Sequence, residues 1–147
     1  MSLVLEPRHS AAIGRHGEAD YPAEACGLIG GAIEGDRKVA VQLVPLANQR
    51  TDAARNRYLI DPASFRRAEE KLARDGLDVI GVYHSHPDHP PAPSHFDHEH
   101  AWPWLSYVIV AVARGRAEEL KSWVLAEDRG TFAEELITIE ERNAVWQ

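Results

Sequence analysis

The sequence predicts one mixed α/β domain in which helices pack on the faces of a central sheet. Segments with strand character alternate along the chain with three helical segments, the last of them short. The 147 residues, 44% of them hydrophobic, are enough to form one compact core. Neither an internal repeat nor a linker-like stretch divides the sequence. We therefore expect residues 1–147 to form a single domain.

The first third of the chain predicts a helix followed by two strands and a loop. Residues 7–20 are expected to form a helix that ends before the pair Tyr21-Pro22. Residues 25–32 are apolar and rich in glycine, which favours a buried strand. Residues 39–43 alternate between apolar and smaller or polar side chains and predict a second strand. Residues 47–57 are polar and aperiodic, so we expect a loop there.

A second helix is predicted over residues 62–75. Asp61 is a favourable N-cap residue, and Pro62 suits the first helical position. Gly76 stands where a C-terminal cap is expected. Apolar side chains recur at helical spacing within the segment, at Phe65, Ala68 and Leu72.

A strand, a stiff loop and a short helix follow. Residues 77–84 are mostly apolar and predict a central strand that ends at a histidine pair. Residues 87–93 contain four prolines, which predicts an irregular loop. Ser94 can cap a short helix that extends to about Trp102.

The last part of the chain predicts three strands. Residues 105–112 are continuously apolar and predict a strand buried on both faces. Residues 119–125 and 131–139 are expected to pair as antiparallel strands, because a turn-like stretch separates them.

Composition excludes several classes of function. The net charge is −7, without a basic stripe, so nucleic-acid binding is disfavoured. Cys26 is the one cysteine, so no intrachain disulfide can form, and a reducing compartment is the simplest setting. There is no signal-peptide core and no apolar run of membrane-spanning length. We expect a soluble cytoplasmic protein with no membrane partner, and the oligomeric state stays open.

The most informative motif is His84-x-His86 followed by Ser94-x-x-Asp97. Histidines at positions i and i+2 of a strand point to one face, about 6.6 Å apart along it, and can share one cation. A carboxylate from the next element supplies a third ligand and leaves a fourth position open to water. This pattern is typical of a catalytic zinc. Ser94-x-x-Asp97 also matches a helix capping box, and the two roles are compatible.

Other histidines crowd the same region. His89 and His95 are candidates for groups that support the metal ligands, whereas His98 and His100 are expected on the solvated side of the short helix.

Alternative active sites fit less well. The sequence His84-x-His86-x-Asp88-His89 matches a metallo-β-lactamase pattern, but that fold needs a further downstream histidine, and none follows His100. Zinc deaminases pair an HxE motif with CxxC, which a single cysteine excludes. Cys26 with His84 could form a thiol nucleophile, although a cysteine in an apolar strand usually behaves as a small hydrophobe.

Glu24 completes a pattern that resembles the JAMM, or MPN-plus, family of zinc metallopeptidases. The segment Pro22-x-Glu24-x-Cys26-Gly27, the histidine pair and Ser94-x-x-Asp97 carry the resemblance. It extends from the first helix, with His16, through the stretch from Asn48 to Pro62 and on to the strand after Asp97.

The resemblance implies a cytidine-deaminase-like α/β/α sandwich with a mixed central sheet. His84, His86 and Asp97 would hold zinc. Glu24 would act as general base toward the attacking water and then as acid toward the leaving amine. Ser94 would donate a hydrogen bond to the oxyanion, a contribution of roughly 3–4 kcal/mol in similar sites.

The resemblance also implies a substrate class: amide or isopeptide bonds after the C-terminal tail of a ubiquitin-like or sulfur-carrier protein. The short segment between Asp97 and the next strand is typical of minimal, stand-alone prokaryotic members. A catalytically silent scaffold or metal-binding module is the alternative, although scaffolds of this kind normally lack one or more of the five polar residues, and this chain has all five: Glu24, His84, His86, Ser94 and Asp97. Trp102 and Trp104 are expected either at a substrate rim or in the core.

Overall fold

The computed structural model describes residues 1–48 and 60–142. The predicted loop over residues 47–57 and the stretch from Asn48 to Pro62 thus lie largely outside the described residues. The elements in chain order are β1 (Ser2–Leu5), α1 (Pro7–Asp20), β2 (Cys26–Glu34), β3 (Arg37–Leu46), α2 (Pro62–Arg74), β4 (Asp78–Pro87), α3 (His95–His100), β5 (Ser106–Ala113), β6 (Arg116–Leu125) and β7 (Phe132–Ile139).

The seven strands of the described residues form one mixed sheet in the order β1-β3-β2-β4-β5-β6-β7. The pairs β1–β3 and β4–β5 are parallel, and the pairs of β2 with β3 and β4 are antiparallel. β1 also pairs in parallel with β7, so that the sheet closes on itself. The predicted mixed sheet is therefore confirmed, and its closure through β1 is a feature that the sequence did not predict.

Apolar side chains form two clusters on opposite faces of this sheet. Ile13 of α1 joins the first cluster, which contains Ile29 of β2. Ala68 of α2 joins the second cluster, which contains the neighbouring Leu28. Because successive strand residues point to opposite faces, the sheet separates α1 from α2. Helices thus pack on both faces, as predicted.

The element predictions from local sequence patterns are confirmed within a few residues. The Asp61 side chain accepts a hydrogen bond from the Ser64 amide and caps α2, as predicted. Beyond the end of α2, Gly76 has a φ of 74°, a backbone conformation that favours glycine. β1 was not predicted, because a four-residue strand is too short to show periodicity.

Among the described residues, no helix is long and apolar enough to cross a bilayer.

Candidate metal centre

Three side chains that the sequence singled out converge on one point. The Nε2 atoms of His84 and His86 lie 3.2 Å apart. Oδ1 of Asp97 lies 3.2 Å from Nε2 of His84, and Oδ2 lies 3.2 Å from Nε2 of His86. Each pair among these three side chains is therefore 3.2 Å apart at its contacting atoms. We call these residues the His-His-Asp triangle.

The size of the triangle fits a tetrahedral divalent metal. Ligand atoms bound at about 2.0–2.1 Å in a tetrahedron lie about 3.3 Å from one another. The separation of 3.2 Å between the two histidine nitrogens matches that value, and each nitrogen has one Asp97 oxygen at the same distance. Neutral imidazole nitrogens and one carboxylate are also a donor set that suits zinc. The residues present thus fit a metal ion.

Glu24 completes the cluster. One ligand atom from each of Glu24, His84 and His86 lies within 4.8 Å of the others, and all three residues are buried. Oε1 of Glu24 is buried and has no hydrogen-bond partner among the described residues. The carboxylate therefore lies beside the two histidines of the triangle, and its Oε1 forms no hydrogen bond with them.

Strand register brings Glu24 to the histidines. β2 and β4 are antiparallel neighbours in which Cys26 stands opposite His84. The Ser85 amide donates to the Ala25 carbonyl at 3.0 Å, which continues this alignment by one residue. Glu24 consequently comes level with His86, although the two residues are far apart in sequence.

β4 delivers both histidines to one face, and the loop after it fixes the orientation of the second. β4 extends to Pro87, three residues beyond the predicted end, so both histidines lie within the strand. Nδ1 of His86 lies 2.9 Å from the Pro90 carbonyl oxygen. Because a carbonyl can only accept, Nδ1 must carry the proton and donate it. The Nε2 lone pair is then available to a metal.

Asp97 reaches the site from the first turn of α3. The Ser94 hydroxyl oxygen accepts from the Asp97 amide at 3.1 Å, and Oδ2 of Asp97 accepts from the Ser94 amide at 2.8 Å. This reciprocal pair is the predicted capping box. The box and the triangle use the same carboxylate, so the two predicted roles of Asp97 are geometrically compatible.

Burial and neighbouring charges shift the pKa values of the Glu24 and Asp97 carboxyl groups in opposite directions. Burial, assisted by the negative charge of Asp97, raises the pKa of Glu24 from 4.5 to about 9. Burial alone would also raise the pKa of Asp97, but the charge and hydrogen bond of His84, with His86 and Ser94, hold that pKa far below its ordinary value. Burial lowers the pKa of His84 despite the opposing charge of Asp97, which favours the neutral imidazole that binds metals.

The site opens to solvent through a cleft of about 320 Å³. Its lining residues come from the segment just before β2, the end of β4 and the loop before α3; they are Glu24, His86, His89, Pro90, Ala92 and Ser94. His89 thus lies at the cleft, where a group that supports the site was expected.

The other candidate histidines point elsewhere. His95 is 87% exposed and contacts Glu99 at 2.6 Å, so it does not face the triangle. His100 is exposed, as expected, and Nε2 of His98 lies 2.7 Å from the Arg129 carbonyl oxygen. Trp102 and Trp104 are 69% and 61% exposed. Core packing is thereby excluded for both tryptophans, which border apolar grooves beside α3 and α2.

Cys26 is fully buried, and its thiol lies 3.9 Å from the Leu46 carbonyl oxygen. Burial, with the nearby charges of Asp20 and Glu24, raises the pKa of this thiol to about 12. A thiolate is therefore scarce at neutral pH, and the alternative of a cysteine nucleophile is disfavoured.

Two residues that position Glu24 were missed at the sequence level. The Asn48 side-chain amide donates to the Glu24 carbonyl oxygen at 3.0 Å. The Ser85 hydroxyl accepts from the Ala25 amide at 2.8 Å. Ser85 stands between the two histidines and points to the opposite face of β4, so its position in the motif was the available signal.

Comparison with known proteins gives consistent matches. The sequence model of Prok-JAB, described as prokaryotic homologs of the JAB domain, matches residues 6–126. The chain is 36% identical over 112 residues to a desampylase from Haloferax volcanii, covering 74% of this chain and 78% of that protein. It is 35% identical over 98 residues to a probable TtuB-protein conjugate cleaving protease from Thermus thermophilus, covering 67% of this chain and 62% of that protein.

A solved structure is also similar. The solution structure of a protein from Desulfitobacterium hafniense matches with a TM-score of 0.82 and 30% identity, over 95% of this chain and 94% of the other.

Proposed function

The chain belongs to the family of prokaryotic homologs of the JAB domain, and on that premise we propose that it is a zinc-dependent isopeptidase. Its substrates are amide or isopeptide bonds that follow the C-terminal tail of a ubiquitin-like or sulfur-carrier protein. Relatives named as a desampylase and as a probable TtuB-protein conjugate cleaving protease support this substrate class. A cytidine-deaminase-like order of layers is part of the proposal, supported by helices on both faces of the sheet.

The observation that carries the proposal is the buried His-His-Asp triangle with Glu24 beside it. Four ionisable side chains are each no more than 6% exposed, which is costly unless they bind something or bind one another. Perturbed, buried titratable groups at a cleft are typical of catalytic sites. A structural zinc site would use four protein ligands, whereas the triangle supplies three.

In this proposal His84, His86 and Asp97 hold the metal ion. A bound divalent metal supplies a Lewis acid that polarises a carbonyl and lowers the pKa of water from 15.7 to about 7. Pro90 keeps the His86 proton on Nδ1, and Ser94 holds Asp97 through its amide. These contacts fix the orientation of two of the three ligands before any metal arrives.

Glu24 is the proposed proton carrier. Its Oε1 has no partner among the described residues, so it can accept a proton from the attacking water and return it to the leaving nitrogen. A positive charge at the triangle would oppose the negative charge of Asp97 and would lower the pKa of Glu24 from the value of about 9 that it has without a metal. A group that titrates near neutral pH can both accept and release a proton during turnover.

Ser94 is the proposed oxyanion donor. Its hydroxyl oxygen accepts one bond from the Asp97 amide, which orients the side chain at the cleft. A hydroxyl that accepts one bond can still donate its own hydrogen. That hydrogen can stabilise the negative charge that develops on the carbonyl oxygen in the transition state.

The experiment that tests this function is cleavage of a defined conjugate. The zinc-loaded protein is incubated with a ubiquitin-like protein that is joined by its C-terminus to a lysine side chain. The masses of the products are then measured by mass spectrometry. We expect release of the intact ubiquitin-like protein, and no release by the His84→Ala, His86→Ala double variant. Failure of the zinc-loaded wild type to cleave any tail conjugate would instead favour the scaffold alternative.

A further inference from the structure

The turn between β6 and β7 is hydrogen-bonded to α3, the helix that carries Asp97. Nη1 of Arg129 donates to the Ala101 carbonyl oxygen at 2.7 Å. Nη2 donates to the carbonyl oxygens of His98 at 3.3 Å and Glu99 at 3.5 Å. In return, the Arg129 carbonyl oxygen accepts from Nε2 of His98 at 2.7 Å. One residue thus both donates to α3 and accepts from it.

α3 depends on hydrogen bonds from outside the helix for its stability, because it has only six residues. Isolated helices of this length are not stable in water. The last carbonyl groups of a helix lack partners within the helix and carry partial negative charge. The Arg129 guanidinium satisfies several of them with a positive charge. Ser94 holds the other end of α3 through the capping box, so the helix is tied at both ends.

A second series of hydrogen bonds connects the hairpin formed by β6 and β7 to His86. Nε1 of Trp123, in β6, donates to the Pro91 carbonyl oxygen at 2.9 Å. The adjacent Pro90 carbonyl oxygen accepts from Nδ1 of His86 at 2.9 Å. The indole therefore holds the loop whose carbonyl sets the orientation of that imidazole. Two of the three residues of the triangle are thus supported from one hairpin.

We propose that the β6–β7 hairpin positions the metal ligands, with Arg129 acting on Asp97 and Trp123 acting on His86. Neither residue touches the triangle, so both are positioning residues. The proposal rests on the metal site of the proposed function. It predicts that the affinity for metal depends on hydrogen bonds made by residues that bind no metal.

The test measures zinc affinity by competition with a chelator at fixed pH for the Arg129→Ala, Arg129→Lys and Trp123→Phe variants. Groups that orient metal ligands typically change affinity by about 10–100-fold. We expect a loss in that range for Arg129→Ala and about tenfold for Trp123→Phe, which removes the indole donor but keeps an aromatic ring. Arg129→Lys should recover part of the loss, because one cation remains to face the carbonyl groups.

Matched controls and the melting temperature of the metal-free proteins separate positioning from general damage. Arg116→Ala removes an exposed arginine on the same hairpin, and Trp104→Phe alters an exposed tryptophan; neither should change affinity. The metal-free Arg129 and Trp123 variants should melt within about 4 °C of wild type.

The possible results distinguish this inference from the proposed function. Wild-type affinity in both the Arg129→Ala and Trp123→Phe variants overturns the positioning role alone. A loss of affinity that is matched by a large fall in the metal-free melting temperature also overturns it, because the fold as a whole would then be weakened. If the wild-type protein itself binds no zinc, the metal site and everything built on it are refuted.

Discussion

Replacing Glu24 with glutamine should slow catalysis and, at the same time, stabilise the metal-free protein. The side chain is 2% exposed, and burial raises its pKa from 4.5 to about 9. At pH 7 folding must therefore add a proton to a group that is ionised in the unfolded chain. Glutamine keeps the size and is always neutral, so the Glu24→Gln variant avoids that cost.

The size of the stabilisation at pH 7 follows from the difference between the pH and the ordinary pKa of a glutamate. pH 7 lies about 2.5 units above the ordinary pKa of a glutamate, and each unit corresponds to about 1.36 kcal/mol. We therefore expect the free energy of unfolding of the metal-free variant to exceed that of wild type by up to about 3 kcal/mol at pH 7. For a chain of this length, that corresponds to a rise in melting temperature of roughly 10 °C.

The pH dependence has a definite direction. A group with a raised pKa in the folded state leaves stability intact below its unfolded pKa, and stability is lost as pH rises through the folded pKa. The difference between variant and wild type should thus vanish near pH 4, grow from pH 4.5 upward and level off near pH 9. Urea unfolding of both chelated proteins across this range measures it directly.

Catalysis should respond in the opposite direction. Loss of a general base commonly lowers the reaction rate by about 10²–10⁴-fold. We therefore expect the turnover of the zinc-loaded Glu24→Gln variant to fall at least about 100-fold. Zinc content should stay at the wild-type level, because the triangle does not include Glu24. Glu70→Gln, a change at an exposed position on α2, is the control and should alter neither turnover nor stability.

Three results would contradict this reasoning about Glu24. Full activity of Glu24→Gln would remove its role as base. Loss of zinc from the variant would make Glu24 a ligand and would require the assignment of Asp97 to be revised. A stability difference that does not change with pH would show that the carboxyl group is not buried as the structure has it.

Further expectations concern the ligand, the nucleophile and the oxyanion donor. Asp97→Asn weakens a proposed ligand, so both zinc occupancy by metal analysis and turnover should fall, and unchanged occupancy would exclude Asp97 from the site. Phenanthroline should abolish hydrolysis and iodoacetamide should not, because Cys26 is buried with a pKa of about 12; the reverse pattern would favour a thiol enzyme. Ser94→Ala should lower turnover by about 10²–10³-fold and stability by about 1 kcal/mol through the lost cap, and a loss of stability alone would leave Ser94 as a cap only.

Local patterns were sufficient for the parts of the site that lie close together in sequence. His84 and His86 share a face because a strand has a period of two. Ser94 and Asp97 lie on one helical turn, and their capping box was visible from their spacing alone. The caps of α2 were predicted for the same reason. Such features depend on a few neighbouring residues and on backbone geometry.

Features that depend on contacts between residues distant in sequence could not be predicted from local sequence patterns. The place of Glu24 beside His86 follows from the register of β2 against β4, and only the family resemblance indicated it. β1 closes the sheet through pairing with β3 and β7, and four residues carry no periodic pattern. A single arginine in a turn likewise gives no signal in the sequence, so the contacts of Arg129 with α3 required the structure.

The most direct test of the account is a titration of metal-free protein with zinc while hydrolysis of a ubiquitin-like conjugate is followed. One catalytic metal per chain predicts that activity is absent without zinc, rises linearly and stops rising at one equivalent. The His84→Ala, His86→Ala double variant should remain inactive throughout. Hydrolysis by the metal-free protein, or zinc-dependent activity in the double variant, would contradict the claim that the His-His-Asp triangle is the catalytic centre.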